Sequence, residues 1–295
     1  YTDTSCMKRK WIRRVGWILL TPIILFVILM VLLYIPPVQN LLRREVTAYA
    51  SKATGMQIQV ERIDLRFPLN LLVRGVEVIQ QPDTLLSLES LNVRVQAWPL
   101  LKGKVEVDEV TLSQVAVNSA NLIEGMQIKG VLGRFFLQSH GVDLSNETAV
   151  VNRTELSDTH IQLLMTDTTT TPKDTTASAP VNWKVNLHQL KLKNVSFGMK
   201  LPADSMKMAA YIGEATIDDA KADLKNQFYG LKQFLLSGAS ASYDTGEAQP
   251  SEGFDASHMA VRNIRIGLDS LLYEGRNMNA VIREITMEER SGLSI

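Results

Sequence analysis

The chain has 295 residues, with 31 Lys+Arg against 31 Asp+Glu and a formal net charge of +0, so no overall field attracts nucleic acid or steers acidic substrates. A hydrophobic content of 45% excludes a disordered tail and allows one large or two ordinary domains. The single cysteine, Cys6, stands ahead of everything that reads as a folded body, which excludes disulfide, zinc-thiolate and catalytic-thiol chemistry from the residues after it.

Residues 1–14 read as a basic, cytoplasmic amino terminus, and residues 15–35 as an uncharged apolar run. At roughly 1.5 Å per residue that run spans about 30 Å, the thickness of a hydrocarbon core, so it predicts a transmembrane signal anchor. It is too long for the apolar region of a cleaved signal peptide, and Tyr34-Ile35-Pro36-Pro37 is no small-x-small cleavage site. Lys8, Arg9, Lys10, Arg13 and Arg14 lie immediately before it and set the topology, placing the remainder of the chain outside the cytoplasm. Trp11 and Trp17 at one end and Tyr34 at the other are expected interfacial anchors.

Residues 36–55 carry Leu41, Leu42, Val46, Tyr49 and Ala53 at three- and four-residue spacing and end at Gly55, which predicts an amphipathic linker helix with a glycine stop. From Met56 the period falls to two. Ile58 and Val60 alternate with polar residues, and after a one-residue shift so do Ile63 and Leu65, the pattern of a strand with a bulge. The alternation continues through Leu86, Leu88, Val93 and Val95, then Val105, Val107, Leu112, Val115 and Val117, giving a first β block over 56–165 with turns at Trp98-Pro99 and Lys102-Gly103. Residues 166–180 are Thr-rich with nothing apolar enough to pack and read as a flexible loop. A second β block runs over 181–295, with 218–236 open to a short helix or two strands and a loop over 244–253. Its strand pattern reaches the last residues, which predicts continuation beyond Ile295.

The expected fold is therefore mainly β: an anchor, a linker helix and an elongated antiparallel meander with one apolar face. Such a face must be covered by a second sheet, by helices or by a ligand, so a closed β-sandwich and a curled open sheet holding acyl chains both fit the pattern.

The segments "GMQIQVERIDLRFPLNLLVRGVEV" and "LLSLESLNVRVQAWPLLKGKVEVDEVTLSQVAVN", behind a basic start and a signal anchor, resemble the amino-terminal part of the TamB/AsmA-like family in the form found in Bacteroidota. The closing "IREITMEERSGLSI" is similar to the end of the first region in such proteins. The resemblance rests on hydrophobic patterns and covers roughly residues 7–295. It implies an inner-membrane-anchored periplasmic protein whose curled sheet, a repeating β-groove, has an apolar concave face lined by Ile58, Val60, Leu86, Leu88, Val93, Val95, Val105, Val107, Leu112, Val115 and Val117. Phospholipid is then the expected ligand, carried between inner and outer membranes in support of outer-membrane biogenesis. The family is also linked to insertion of outer-membrane β-barrel proteins with a BamA/TamA-like partner, although the carboxy-terminal domain that would meet that partner is missing from this sequence.

Catalytic signals are absent from the residues. His140, His160, His188 and His258 lack metal-ligand spacing, and no phosphate-binding or nucleophile-elbow motif occurs. Asp108-Glu109 and Glu288-Glu289 are adjacent residues on strands, so the members of each pair point to opposite faces. The expectation is a non-enzymatic protein without metal or cofactor, with an anchored envelope enzyme as the remote alternative.

Overall fold

In a computed structural model, the structure describes residues 35–67, 69–100, 106–119, 122, 125–143, 146–166, 182–246 and 249–294. The expected span except Ile35, the flanking Trp, Tyr, Lys and Arg residues, Val105, and all but Thr166 of the Thr-rich segment lie outside them. Among the described residues no helix is long and apolar enough to cross a membrane.

Helix α1, Pro36–Thr54, begins where Pro36 and Pro37 occupy the first turn, a position that needs no backbone donor. It stops at Gly55, whose φ of 71° ends the helix with its N–H on the Ser51 carbonyl. The linker helix and its glycine stop thus stand as the spacing predicts.

Beyond Gly55 strands dominate, and 72% of the described residues are in them. In chain order they are β1 (Gln57–Arg66), β2 (Asn70–Gln80), β3 (Asp83–Val95), β4 (Val107–Asn118), β5 (Met126–Asp143), β6 (Thr148–Met165), β7 (Lys184–Leu201), β8 (Met206–Asp223), β9 (Phe228–Leu231), β10 (Gln233–Asp244), β11 (His258–Glu274) and β12 (Asn277–Glu289). A one-turn helix α2, Ala97–Leu100, makes the Trp98-Pro99 corner. The ambiguous stretch 218–236 is strand on both sides of a turn, not helix.

All twelve strands form one sheet in the order β1-β2-β3-β4-β5-β6-β7-β8-β10-β11-β12, with short β9 pairing β8 and β11. One expectation is corrected: the sheet is mixed, because β6 and β7 run parallel, Thr148 beside Lys184 and Leu164 beside Lys200. Every other pairing among these strands is antiparallel. Parallel neighbours require the chain to return to its starting end before re-entering the sheet, and alternation reads the same for either direction.

No second layer closes on this sheet among the described residues. Buried apolar side chains are few, namely Ile63, Leu69, Leu85, Ala149, Ala215 and Ala239, half of them alanines, and no large side chain is fully buried. A sandwich core of the usual kind would bury leucines, valines and phenylalanines between two inner faces. The sandwich alternative therefore has no support in this architecture.

The two end strands differ. Alongside β1, α1 supplies side chains to strand backbone: Arg43 Nη1 donates to the Glu61 carbonyl at 2.7 Å, Gln39 Nε2 to the Leu65 carbonyl at 3.2 Å, and Ser51 Oγ accepts from the Ile58 N–H at 3.0 Å. These bonds blunt an edge that would otherwise invite strand pairing. At the other end β12 presents Met278, Val281 and Ile282 with 68%, 56% and 56% of their surface exposed. Only its last turn folds back, Ser294 bridging Glu288.

Candidate functional site

The candidate site is the apolar face, and the register assembles it. Paired residues on neighbouring strands share a face, so a line of pairs traces one row across the sheet. One row reads Ile63, Val73, Leu91, Leu112, Phe135, Leu156, Leu192, Ala215, Leu236, Ile266, Ile285, apolar on every strand it crosses. The next, from Leu65 through Val93, Val110 and Leu190 to Ile282, is interrupted only by Thr154. At about 4.8 Å between strands, ten intervals make each row about 48 Å long. The opposite face carries rows such as Arg62, Arg74, Ser90, Ser113, Arg134, Ser157, Lys193, Glu214, with no apolar member.

The expected lining residues fall together on this face. Ile58 and Leu86 share a row with Val117, Val60 and Leu88 share one with Val115, and Leu112 and Val93 belong to the two rows above. Val95 and Val107 pair with each other beyond a register shift at Asp108. Of the set, only Val105 lies outside the described residues.

A seam keeps the rows continuous. Glu61 and Gly75 oppose each other without pairing, yet Val60–Val76 and Arg62–Arg74 on either side hold one register. The bulge expected in β1 is thus not an extra residue in one strand: β1 and β2 break alternation together, so apolar residues stay on one face in both. The gap recurs at Glu89, Gln114, Gly133, Asp158, Asn194, Gly213 and Gly238 in successive strands. Left-handed backbone occurs along it, with φ of 57° at Gly75, 49° at Gln114, 52° at Asp158, 54° at Asn194 and 61° at Gly238. Asn and Asp tolerate that conformation better than other side-chain-bearing residues, and here Asn194 Nδ2 also donates to Asp158 Oδ1 at 2.7 Å. A second break lies six residues away in each of β6, β7 and β8, at Asn152, His188 and Asp219. There Lys232 Nζ and His188 Nδ1 lie 2.8 and 3.0 Å from the Asp219 carboxylate, and the Lys232 ammonium followed by His188 holds that carboxyl below its ordinary range.

Sequence reasoning missed these seams beyond β1, although each leaves a trace. Apolar residues step by three instead of two at Leu88–Leu91, Leu112–Val115, Leu132–Phe135, Leu192–Val195 and Leu236–Ala239.

The carboxylates and histidines singled out in the sequence each have a polar partner. Asp108 accepts from Gln96, Glu109 pairs with Arg94, Glu288 with Arg262, and Glu289 accepts from Ser291. The histidines are dispersed, His140 against Asn152, His160 against Ser196, His188 against Asp219 and His258 against Asp255. Among the described residues no group of His, Cys, Asp or Glu is arranged to hold a metal.

Asp255 pins the connection between β10 and β11. Its carboxylate accepts from the Ser251 N–H at 3.0 Å and the Ser257 N–H at 2.9 Å, with His258 Nδ1 3.0 Å away. Those backbone donors, then the histidine, hold the carboxyl well below the usual carboxylate range. A depressed carboxyl contributes stability that is fully present above its unfolded pKa of about 3.9 and is lost as pH falls through the lower folded value. The connection is therefore expected to keep its amide protection from about pH 7 down to about pH 4. Asp255→Asn should raise hydrogen exchange at Ser251 and Ser257 across that range, and unchanged exchange would remove Asp255 as the pin.

No protein-family model matches the chain, and no curated protein matches it.

Proposed function

We propose that this protein is a membrane-anchored, periplasmic lipid conduit of the TamB/AsmA-like type, its sheet curled so that the apolar rows form the floor of a groove for phospholipid acyl chains. The observation that carries this reading is an apolar face about 48 Å long, continuous over the sheet at the usual strand spacing and without a covering layer among the described residues. Left in water, each exposed methylene costs about 0.8 kcal/mol, so a sixteen-carbon chain crossing an aqueous gap faces roughly 13 kcal/mol. An apolar strip removes most of that barrier, and its length along the strand-to-strand direction gives the chain a path. The seams favour curling, since breaks in strand geometry bend and twist the strands that carry them. An anchor in residues 15–35 would hold one end of the path at the inner membrane.

A second reading draws on the exposed β12 edge: strand pairing with outer-membrane barrel proteins, in the manner of β-augmentation.

Photocrosslinking separates the readings. Probes at Leu112, Leu192 and Leu236 of the full chain in phospholipid-containing membranes should capture lipid, and probes at the next residues, Ser113, Lys193 and Ser237, should capture little. Equal capture from both faces, or none, would end the conduit reading. Protein adducts confined to β12 would favour strand pairing.

A further inference from the structure

Helix α1 runs back along β1. Ser51 meets the strand at Ile58, Arg43 at Glu61 and Gln39 at Leu65, so the start of the helix lies towards the end of the strand. Ile35, which caps α1, precedes Gln39 by one helical turn, a rise of about 6 Å. Two strand residues beyond Leu65 cover about the same distance, which places Ile35 level with Phe67 in the turn between β1 and β2. The third strand reaches the same corner: Asn70 pairs with Arg94, the Val95 N–H donates to the Leu69 carbonyl at 3.0 Å, and α2 with Trp98 follows directly. Phe67 is 85% exposed and Trp98 72%, although side chains of these two kinds are usually buried. The uncharged run 15–35 ends at this corner, and Leu65, two residues before Phe67, opens one of the apolar rows.

Resting on the anchored reading of residues 15–35, we infer that this corner is a second membrane contact: Phe67 and Trp98 insert into the interface of the bilayer that holds the anchor. A Trp ring suits that depth, because its apolar body leaves water while its indole N–H keeps polar company, and Phe adds apolar area. One spanning helix alone leaves the body free to swivel. A second contact fixes the corner and sets the Leu65 end of the apolar row against the bilayer, where an acyl chain would leave it.

The test reconstitutes the full chain, with Cys6→Ser and one new cysteine carrying bimane, in vesicles of phosphatidylethanolamine and phosphatidylglycerol. Part of the lipid bears a nitroxide near the top of its acyl chain, which quenches only labels close to it. The label is placed by Arg66→Cys at the corner, by Leu20→Cys in the anchor, and by Glu252→Cys at the opposite rim, near exposed Phe254. The corner label should lose about half its emission, the anchor label at least as much, and the opposite-rim label little. Adding Phe67→Ser and Trp98→Ser should restore the corner emission about twofold while the anchor label stays quenched. Both side chains are exposed, so the melting curve should not move. Quenching at the anchor without quenching at the corner, or equal quenching at the corner and the opposite rim, overturns the inference and leaves the anchor standing. Corner quenching that survives the double substitution also overturns it, because the tether alone would then explain the proximity. An unquenched anchor label ends the anchored reading, and the inference with it.

Discussion

Replacing Gly213 with valine is expected to destabilise the sheet by about 3 kcal/mol, the upper end of ordinary overpacking. Gly213 lies on the seam beside Gly238, where a β-carbon would come within 2.9 Å of the Gly238 carbonyl oxygen and 3.1 Å of the Ser237 carbonyl oxygen. Both obstacles are backbone, so relief requires β8 and β10 to move apart, and that movement strains the pairs on either side, Glu214–Ser237 and Tyr211–Ser240. Gly198 is the control: its nearest neighbours are the Gln162 side chain at 3.9 Å and the Met208 carbonyl at 4.0 Å. Alanine there should change stability by no more than about 0.5 kcal/mol. Urea unfolding followed by far-ultraviolet circular dichroism measures both. Equal midpoints for the two variants would mean that the seam is not a tightly packed feature.

Leu192→Asp is expected to reduce phospholipid retention by tenfold or more while costing little in folding. Leu192 is the β7 member of the apolar row that crosses the sheet, between Leu156 and Ala215. An acyl chain passing it would lose contact with several carbons, at about 0.8 kcal/mol for each methylene returned to water, and would have to displace the hydration of a carboxylate. Folding should suffer only modestly, because Leu192 lacks a facing layer and the new carboxylate stays hydrated. In a closed core the same change would leave a buried charge unpaired and destabilise by several kcal/mol. Lys193→Asp, one residue along on the polar face, should leave retention unaltered. The measurements are lipid per protein by mass spectrometry and the urea midpoint. A large loss of stability with Leu192→Asp would point to a covered face and count against an open lipid path.

Much of the candidate site is legible in the amino-acid sequence. Ile58, Val60, Leu88, Val93, Leu112 and Val117 alternate with polar residues, and side-chain direction along a strand follows from local backbone geometry, so the alternation assigns them to one face. The rest is hidden for identifiable reasons. In β1 the shift between Val60 and Ile63 reads as a bulge, the usual explanation for one strand seen alone. That β2 breaks at the same point is visible only once Glu61 is placed opposite Gly75. The parallel β6–β7 pair is hidden because its alternating residues, Leu156 and Leu192 among them, would satisfy an antiparallel neighbour equally well. Between 218 and 236 the mixed period has its cause in the second break at Asp219 and the turn before Phe228, which interrupt alternation without creating a helix.

By itself the sequence determined that the described body is built of long strands with one apolar side, and that the linker helix ends at Gly55. Both follow from interactions within a few residues: side-chain alternation, the two prolines that open the helix and the left-handed glycine that ends it. Only the tertiary structure decided which strands are neighbours, that two of them run parallel, that the breaks align into a seam and that no layer faces the apolar rows among the described residues. Those are matters of hydrogen bonding and packing between segments far apart in the chain, and a local pattern is equally compatible with several such pairings.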